Sequence, residues 1–208
     1  MRDIFSIDSR FMQVLSRLAD LMILNILFLL TCIPMITIGP ATTALYTICF
    51  RFGTKREGSL LRGYFRAFRD NFIQGTVLWV IYAVLGGAFY TNLVLFTEHR
   101  LLFFISAFLL TLVVMMSAYA FPVLSQFQNT IRGTIKTALA FCVAFFSKTL
   151  VVCVVNAVPW VILRYNPYMF MQLGYLWLLL YFSAAGYINS LLLRKSFAHF
   201  TNHDEEEL

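Results

Sequence analysis

The chain has 208 residues, 60% of them hydrophobic and 12% charged, with a mean hydropathy of +0.77 and a formal net charge of +6. A soluble domain carries about 25% charged residues, so this composition excludes an ordinary globular domain and describes a polytopic membrane protein. The Arg and Lys residues sit in short loops between apolar runs, where they report membrane orientation and not a nucleic-acid footprint.

The expected architecture is all-α: a transmembrane helical bundle of about five to six membrane segments. It forms one domain over residues 1–200, followed by a disordered acidic tail at 201–208. At the start, Phe11, Val14, Leu15 and Leu18 recur at helical spacing opposite Arg10, Gln13 and Arg17, which reads as a helix on the membrane surface. A first span follows over about 18–33. It exceeds the 7–15 apolar residues of a signal sequence and meets no small-x-small cleavage site, so it is expected to be retained. An ionisable or amide group inside a span is costly, which singles out Asp20 and Asn25. Asp20 is placed to pair with Arg17 at i, i+3, and Asn25 to hydrogen-bond a neighbouring helix.

The run then breaks at Pro34, Thr37, Gly39 and Pro40. The two prolines remove backbone donors at membrane depth and leave the carbonyls of 31–35 in need of partners. Thr37, Thr42 and Thr43 are the nearest hydroxyls and should point at backbone. Gly39 precedes a proline, so it is expected to leave the αR region or take angles closed to other residues. The second segment, 41–52, is short and either crosses or re-enters.

Residues 55–71 change character. Leu61, Tyr64, Phe65, Phe68 and Phe72 fall on one helical face and Arg62, Arg66 and Arg69 on the other, the pattern of a basic helix in the headgroup region. Asn71 ends this stretch. A span at 72–96 carries Ala83-x-x-x-Gly87, read as a close-packing seam. The next span covers 101–124, and Pro122 should kink or end it. Residues 125–146 are amphipathic again, with Ile131, Ile135 and Leu139 opposite Arg132 and Lys136. Spans at 149–163 and 168–193 complete the bundle; the first contains Pro159 and Asn156, whose amide can serve a neighbouring helix or the carbonyl that the proline frees. A shift of about 73 positions sets Ala67-Phe68 on Ala140-Phe141, Phe72 on Phe145 and Thr76 on Thr149, as an internal duplication would.

With Met1 cytoplasmic and the 34–40 break returning the chain, nearly every Arg and Lys falls on the cytoplasmic side. Only Arg100 and Arg164 fall on the other. This asymmetry predicts cytoplasmic termini, and Trp160, Tyr165 and Tyr168 form an aromatic belt. Cys32, Cys49, Cys142 and Cys153 show no C-x-x-C spacing and read as small buried hydrophobes. No phosphate-loop, H-E-x-x-H or G-x-S-x-G motif occurs, and His99, His199 and His203 are scattered, so neither an enzyme nor a metal or other cofactor is expected.

The run LADLMILNILFLLTCIPMITIGPATTALY, with Asp20, Asn25, Pro34, Thr37, Gly39, Ala44 and Leu45, resembles the signature of the YesL-like family of bacterial membrane proteins. FRAFRDNFIQGTVLW, with Phe68, Asn71, Phe72 and Thr76, is similar to it as well. The resemblance implies an integral plasma-membrane protein without an assigned activity, encoded near carbohydrate-uptake transporters and polysaccharide-degrading enzymes. It supplies no catalytic residue. The function expected from it is a non-enzymatic accessory component of a sugar ABC transporter, with Arg62, Arg66, Arg69, Arg132 and Lys136 as the partner surface. The alternative is a small carrier or flippase with its path at 34–40, lined by Asn25, Thr31 and Thr37. Against it stands the scarcity of deep polar groups.

Overall fold

The computed structural model describes residues 10–52, 59–96, 99–127 and 130–206; the basic pair Lys55 and Arg56, Gln128 and the first nine residues lie outside these, as does the side chain of Trp160. The described chain is helical: α1 (Arg10–Thr31), α2 (Ile38–Arg51), α3 (Leu60–Asp70), α4 (Phe72–Leu95), α5 (Arg100–Gln126), α6 (Ile131–Ala144), α7 (Phe146–Tyr165), the short α8 (Pro167–Gln172) and α9 (Gly174–Leu176), and α10 (Phe182–Glu206). A 3-10 turn at Met35–Thr37 precedes α2 and a π-helical turn at Trp177–Tyr181 precedes α10. The surface helix and first span expected as two pieces are one helix, because nothing between Arg10 and Thr31 interrupts the ladder. α10 runs to Glu206, into the segment expected as tail.

Four stretches are long and apolar enough to cross a membrane: Val14–Thr31, Phe72–Leu95, Arg100–Gln126 and Gly174–Arg194. A fifth results if α6 and α7, bent by 104° at their junction, count as one span. Large apolar side chains face outwards, among them Ile73 at 75%, Leu101 at 71% and Phe108 at 70% exposure. A water-facing surface does not carry such a continuous apolar coat, whereas a lipid-facing one requires it. The chain is a multi-pass membrane protein.

α2 is the hub. Its 14 residues make a rod of about 21 Å, short of the ~30 Å hydrocarbon thickness, and eleven of them are buried. It packs against α1, α3, α4, α5 and α10. Small residues permit this, with Ala41 and Ala44 fully buried. A Cβ on Gly39 would lie 2.1 Å from the Gly75 carbonyl oxygen, and one on Gly186 would lie 2.3 Å from Leu45 Cδ2. Three glycines therefore let α4 and α10 approach α2. The Ala83-x-x-x-Gly87 pattern does not act this way: a Cβ on Gly87 would meet nothing within 4 Å.

The expectation for Gly39 is corrected likewise. Gly39 is helical, in the first turn of α2, and its role is the close approach to α4 instead of an unusual backbone angle. Without a Cβ it avoids part of the clash that keeps other residues before proline out of the helix. Pro40 sits where the missing N–H would have no intrahelical partner in any case.

Several element boundaries follow the same shift. Adding 73 to 60–70 (α3) gives 133–143, within α6; the start of α4 at 72 maps to 145, beside Phe146; and 100–126 (α5) maps to 173–199, the stretch beginning with α9. Each amphipathic helix opens on a hydroxyl cap, Ser59 Oγ accepting from the Arg62 amide and Thr130 Oγ1 from that of Gly133. Pro122 lies inside α5, which continues four residues beyond it.

Candidate functional site: a basic cleft at the α3–α4 junction

Sequence reasoning points first to the 34–40 break, and there the structure builds a closed knot. Pro34 holds an extended φ of −76° and ψ of 114°, leading into the 3-10 turn. The Thr37 hydroxyl lies 2.6 Å from the carbonyl oxygens of both Thr31 and Pro34. Thr42 and Thr43 also point at backbone, but at Ile38 and Gly39 of their own helix, so of the three only Thr37 serves the break. Thr31 Oγ1 reaches the Leu27 carbonyl and lies 2.6 Å from the Tyr64 hydroxyl. Tyr64 thus ties α3 to the end of α1. Burial raises its phenol pKa above the usual range, and the bond with Thr31 only partly offsets this.

Asn25 is fully buried and its Oδ1 accepts the Ser183 N–H at 2.9 Å, while the Ser183 hydroxyl donates to the Leu21 carbonyl at 2.7 Å. The π-helical turn interrupts the ladder immediately before this point, so Asn25 supplies the acceptor for an amide beside that interruption. The interhelical bond expected of Asn25 is formed, and its partner is α10. Asp20 is half-buried in α1. The Arg17 guanidinium, expected to pair with it, lies 5.4 Å from the centre of the Phe52 ring. Asn156 donates to the Val152 carbonyl of its own helix. The carbonyl that Pro159 frees, that of Val155, is taken instead by the Tyr181 hydroxyl.

The charged candidates assemble elsewhere. A cleft of about 800 Å³ opens where the end of α2 (Thr47, Arg51), the last turns of α3 (Arg66, Arg69, Asp70), the start of α4 (Gln74) and the end of α5 meet, with Asn71 and Thr130 on its wall. α3 takes this position because Tyr64 and Ala67 are buried on one side while Arg62, Arg66 and Arg69 stay exposed on the other. Asn71 ends α3, its Nδ2 donating to the Ala67 carbonyl at 2.9 Å. Asp70 stands 3.8 Å from Arg66 Nε, both side chains well exposed. Arg62 is outside the cleft lining, and so are Arg132 and Lys136, exposed on α6.

Sequence reasoning missed three participants. Tyr64 was read only as part of an apolar face. Arg194 donates to the carbonyls of Phe50 and Phe52 at 2.8 and 2.9 Å and so closes the C-terminal end of α2; in the sequence it stands beside Lys195 and reads only as a topological charge. Asn189 joins α10 to α2 through the Tyr46 hydroxyl at 3.2 Å.

Residues 21–93 match a protein family described as "Protein of unknown function, DUF624". The chain is also similar to a Bacillus subtilis (strain 168) protein described as "Uncharacterized protein YteU", with 26% identity over 163 residues, 76% of this chain and 73% of that protein. No solved structure matches. The matched stretch contains the second half of α1, the break, the hub, α3 and nearly all of α4, so the resemblance read in the opening residues is to this family, over the structural centre of the membrane protein.

Proposed function

We propose that the protein is a non-enzymatic accessory component of a carbohydrate ABC-transporter system in a bacterial plasma membrane, with both termini and its two amphipathic helices on the cytoplasmic side. One observation carries the reading. α3 is held to the bundle by Tyr64 and Ala67, and its three arginines take no part in that attachment and face outwards. A charged helix face left over after the fold is satisfied suits a partner surface, and Arg132 and Lys136 of α6 would extend it. The partner class comes from the family resemblance.

Affinity purification from native membranes in mild detergent tests this. Transporter subunits should co-purify with the wild-type chain and be lost with Arg62→Gln/Arg66→Gln/Arg69→Gln. Recovery of no transporter component, or equal recovery with the triple variant, sinks the reading.

The carrier alternative has less support at the break, where Asn25, Thr31 and Thr37 all make hydrogen bonds within the bundle. A second cavity of about 400 Å³ between α2, α5 and α7, lined partly by Thr42, Tyr46, Ser117 and Asn156, is where such a path would have to run.

A further inference from the structure

We propose that the cleft at the α3–α4 junction is a binding site for a phosphate-bearing anion. The inference does not rest on the transporter reading, because it concerns the purified protein with no partner present. Arg51, Arg66 and Arg69 come from two helices and line one space, and Asp70 is the carboxylate on the same wall. Three guanidiniums against one carboxylate leave the lining net positive, and a bound anion would offset that excess. The C-terminal end of α5 and the N-terminal end of α4 both line the space, and their helix dipoles carry opposite signs. The arginines set the sign.

Donors other than charge are also present. Thr130 Oγ1 accepts from the Gly133 amide, which leaves its own proton to donate. Gln74, on the first turn of α4, adds an amide to the wall.

Size and position narrow the ligand. About 800 Å³ is far larger than a bare cation needs and lies within the range of small-molecule sites. The cleft lies at the start of α4 and the end of α5, both long enough to span a bilayer, so it sits where apolar spans give way to headgroups. Arginine's planar fork matches phosphate oxygens in pairs, which a diffuse field of lysines would not. The phosphate can belong to an anionic lipid headgroup or to a soluble ligand; the chemistry of recognition is the same.

The experiment uses the full-length protein in nanodiscs of phosphatidylcholine. One arm adds inorganic pyrophosphate, and the other introduces phosphatidylglycerol into the disc; both read the thermal unfolding midpoint against concentration. A saturable rise is expected in at least one arm. A response to phosphatidylglycerol alone names the lipid headgroup, and a response to pyrophosphate alone names a soluble ligand. Arg66→Gln/Arg69→Gln should weaken the response roughly tenfold or more. Arg132→Gln/Lys136→Gln, which removes equal charge outside the cleft, should leave it in place. If the first double variant fails to assemble, Arg69→Gln alone, at an exposed position, is read for the same direction. No saturable rise in either arm, or equal loss with the α6 variant, overturns the proposal, since the latter would mean a general field and not a site.

Discussion

The two units related by the 73-residue shift diverge at their first turn after the bend. In the first unit this turn carries Gly75, and the backbone of Gly39 and Pro40 lies directly on it. In the second the equivalent residue is Lys148, whose ammonium lies 4.9 Å from the centre of the Phe145 ring. α4 touches α2, whereas a cavity of about 400 Å³ separates part of α7 from α2 and α5. The helix pair thus receives the hub at this turn in one copy, while part of α7 stands off from it in the other. At this position the first unit has no side chain and the second has a lysine.

Exchanging the residues is the most severe way to break that comparison. Gly75→Lys would put a Cβ 2.7 to 2.8 Å from Pro40 backbone atoms, where neither helix can yield without moving the hub. The cost should exceed about 3 kcal/mol, and the variant should fail to elute as a single species on size exclusion in detergent. Lys148→Gly should cost about 1 kcal/mol or less, from a glycine near the helix start and a lost cation–π contact. A monodisperse Gly75→Lys protein with an unchanged unfolding midpoint would show that the contact is incidental.

The two amide candidates within spans give the next largest contrast. Asn25→Leu strips the acceptor from the Ser183 amide inside the bundle, at about 1–3 kcal/mol. Asn156→Leu alters an exposed side chain that bonds only within its own helix, and should stay within about 0.5 kcal/mol. Thermal unfolding of the pair should therefore separate them clearly. Equal midpoints would deny the α1–α10 bond its role.

The smallest effect concerns the link from α3 to the end of α1. Tyr64→Phe keeps the ring and its buried area but removes the hydroxyl 2.6 Å from Thr31 Oγ1, at about 1 kcal/mol. Hydrogen exchange of the α3 amides should then quicken while α4 is unaffected. An unchanged α3 would mean that its apolar face alone holds it.

The break was legible because proline and glycine act locally, through a missing donor and a missing Cβ. The spans were legible because lipid imposes length and apolarity on each helix separately. What surrounds them depends on distant segments. Gly39 and Gly75 lie 36 positions apart, and no local pattern distinguishes Gly75, which packs, from Gly87, where an added Cβ would meet nothing within 4 Å among the described residues. The cleft draws on 47–51, 66–74, 124–127 and Thr130, so its arginines look in the sequence like parts of separate topological signals. Asn25 was recognisable as needing a partner. That the partner is the Ser183 amide, just past a π-helical turn, follows only from the packing of α10 on α1.

The fastening of α2 by α10 sets an order of events during synthesis. Ser190 bonds the Cys49 carbonyl, Asn189 the Tyr46 hydroxyl, and Arg194 the carbonyls of Phe50 and Phe52. These fasteners emerge more than 130 residues after the helix they close, a delay on the order of ten seconds at 5–20 residues per second. For that interval the nascent hub has its last carbonyls uncovered, while the helices on its other flanks are already being inserted. The hub is therefore the first largely buried helix to be translated and among the last to be sealed.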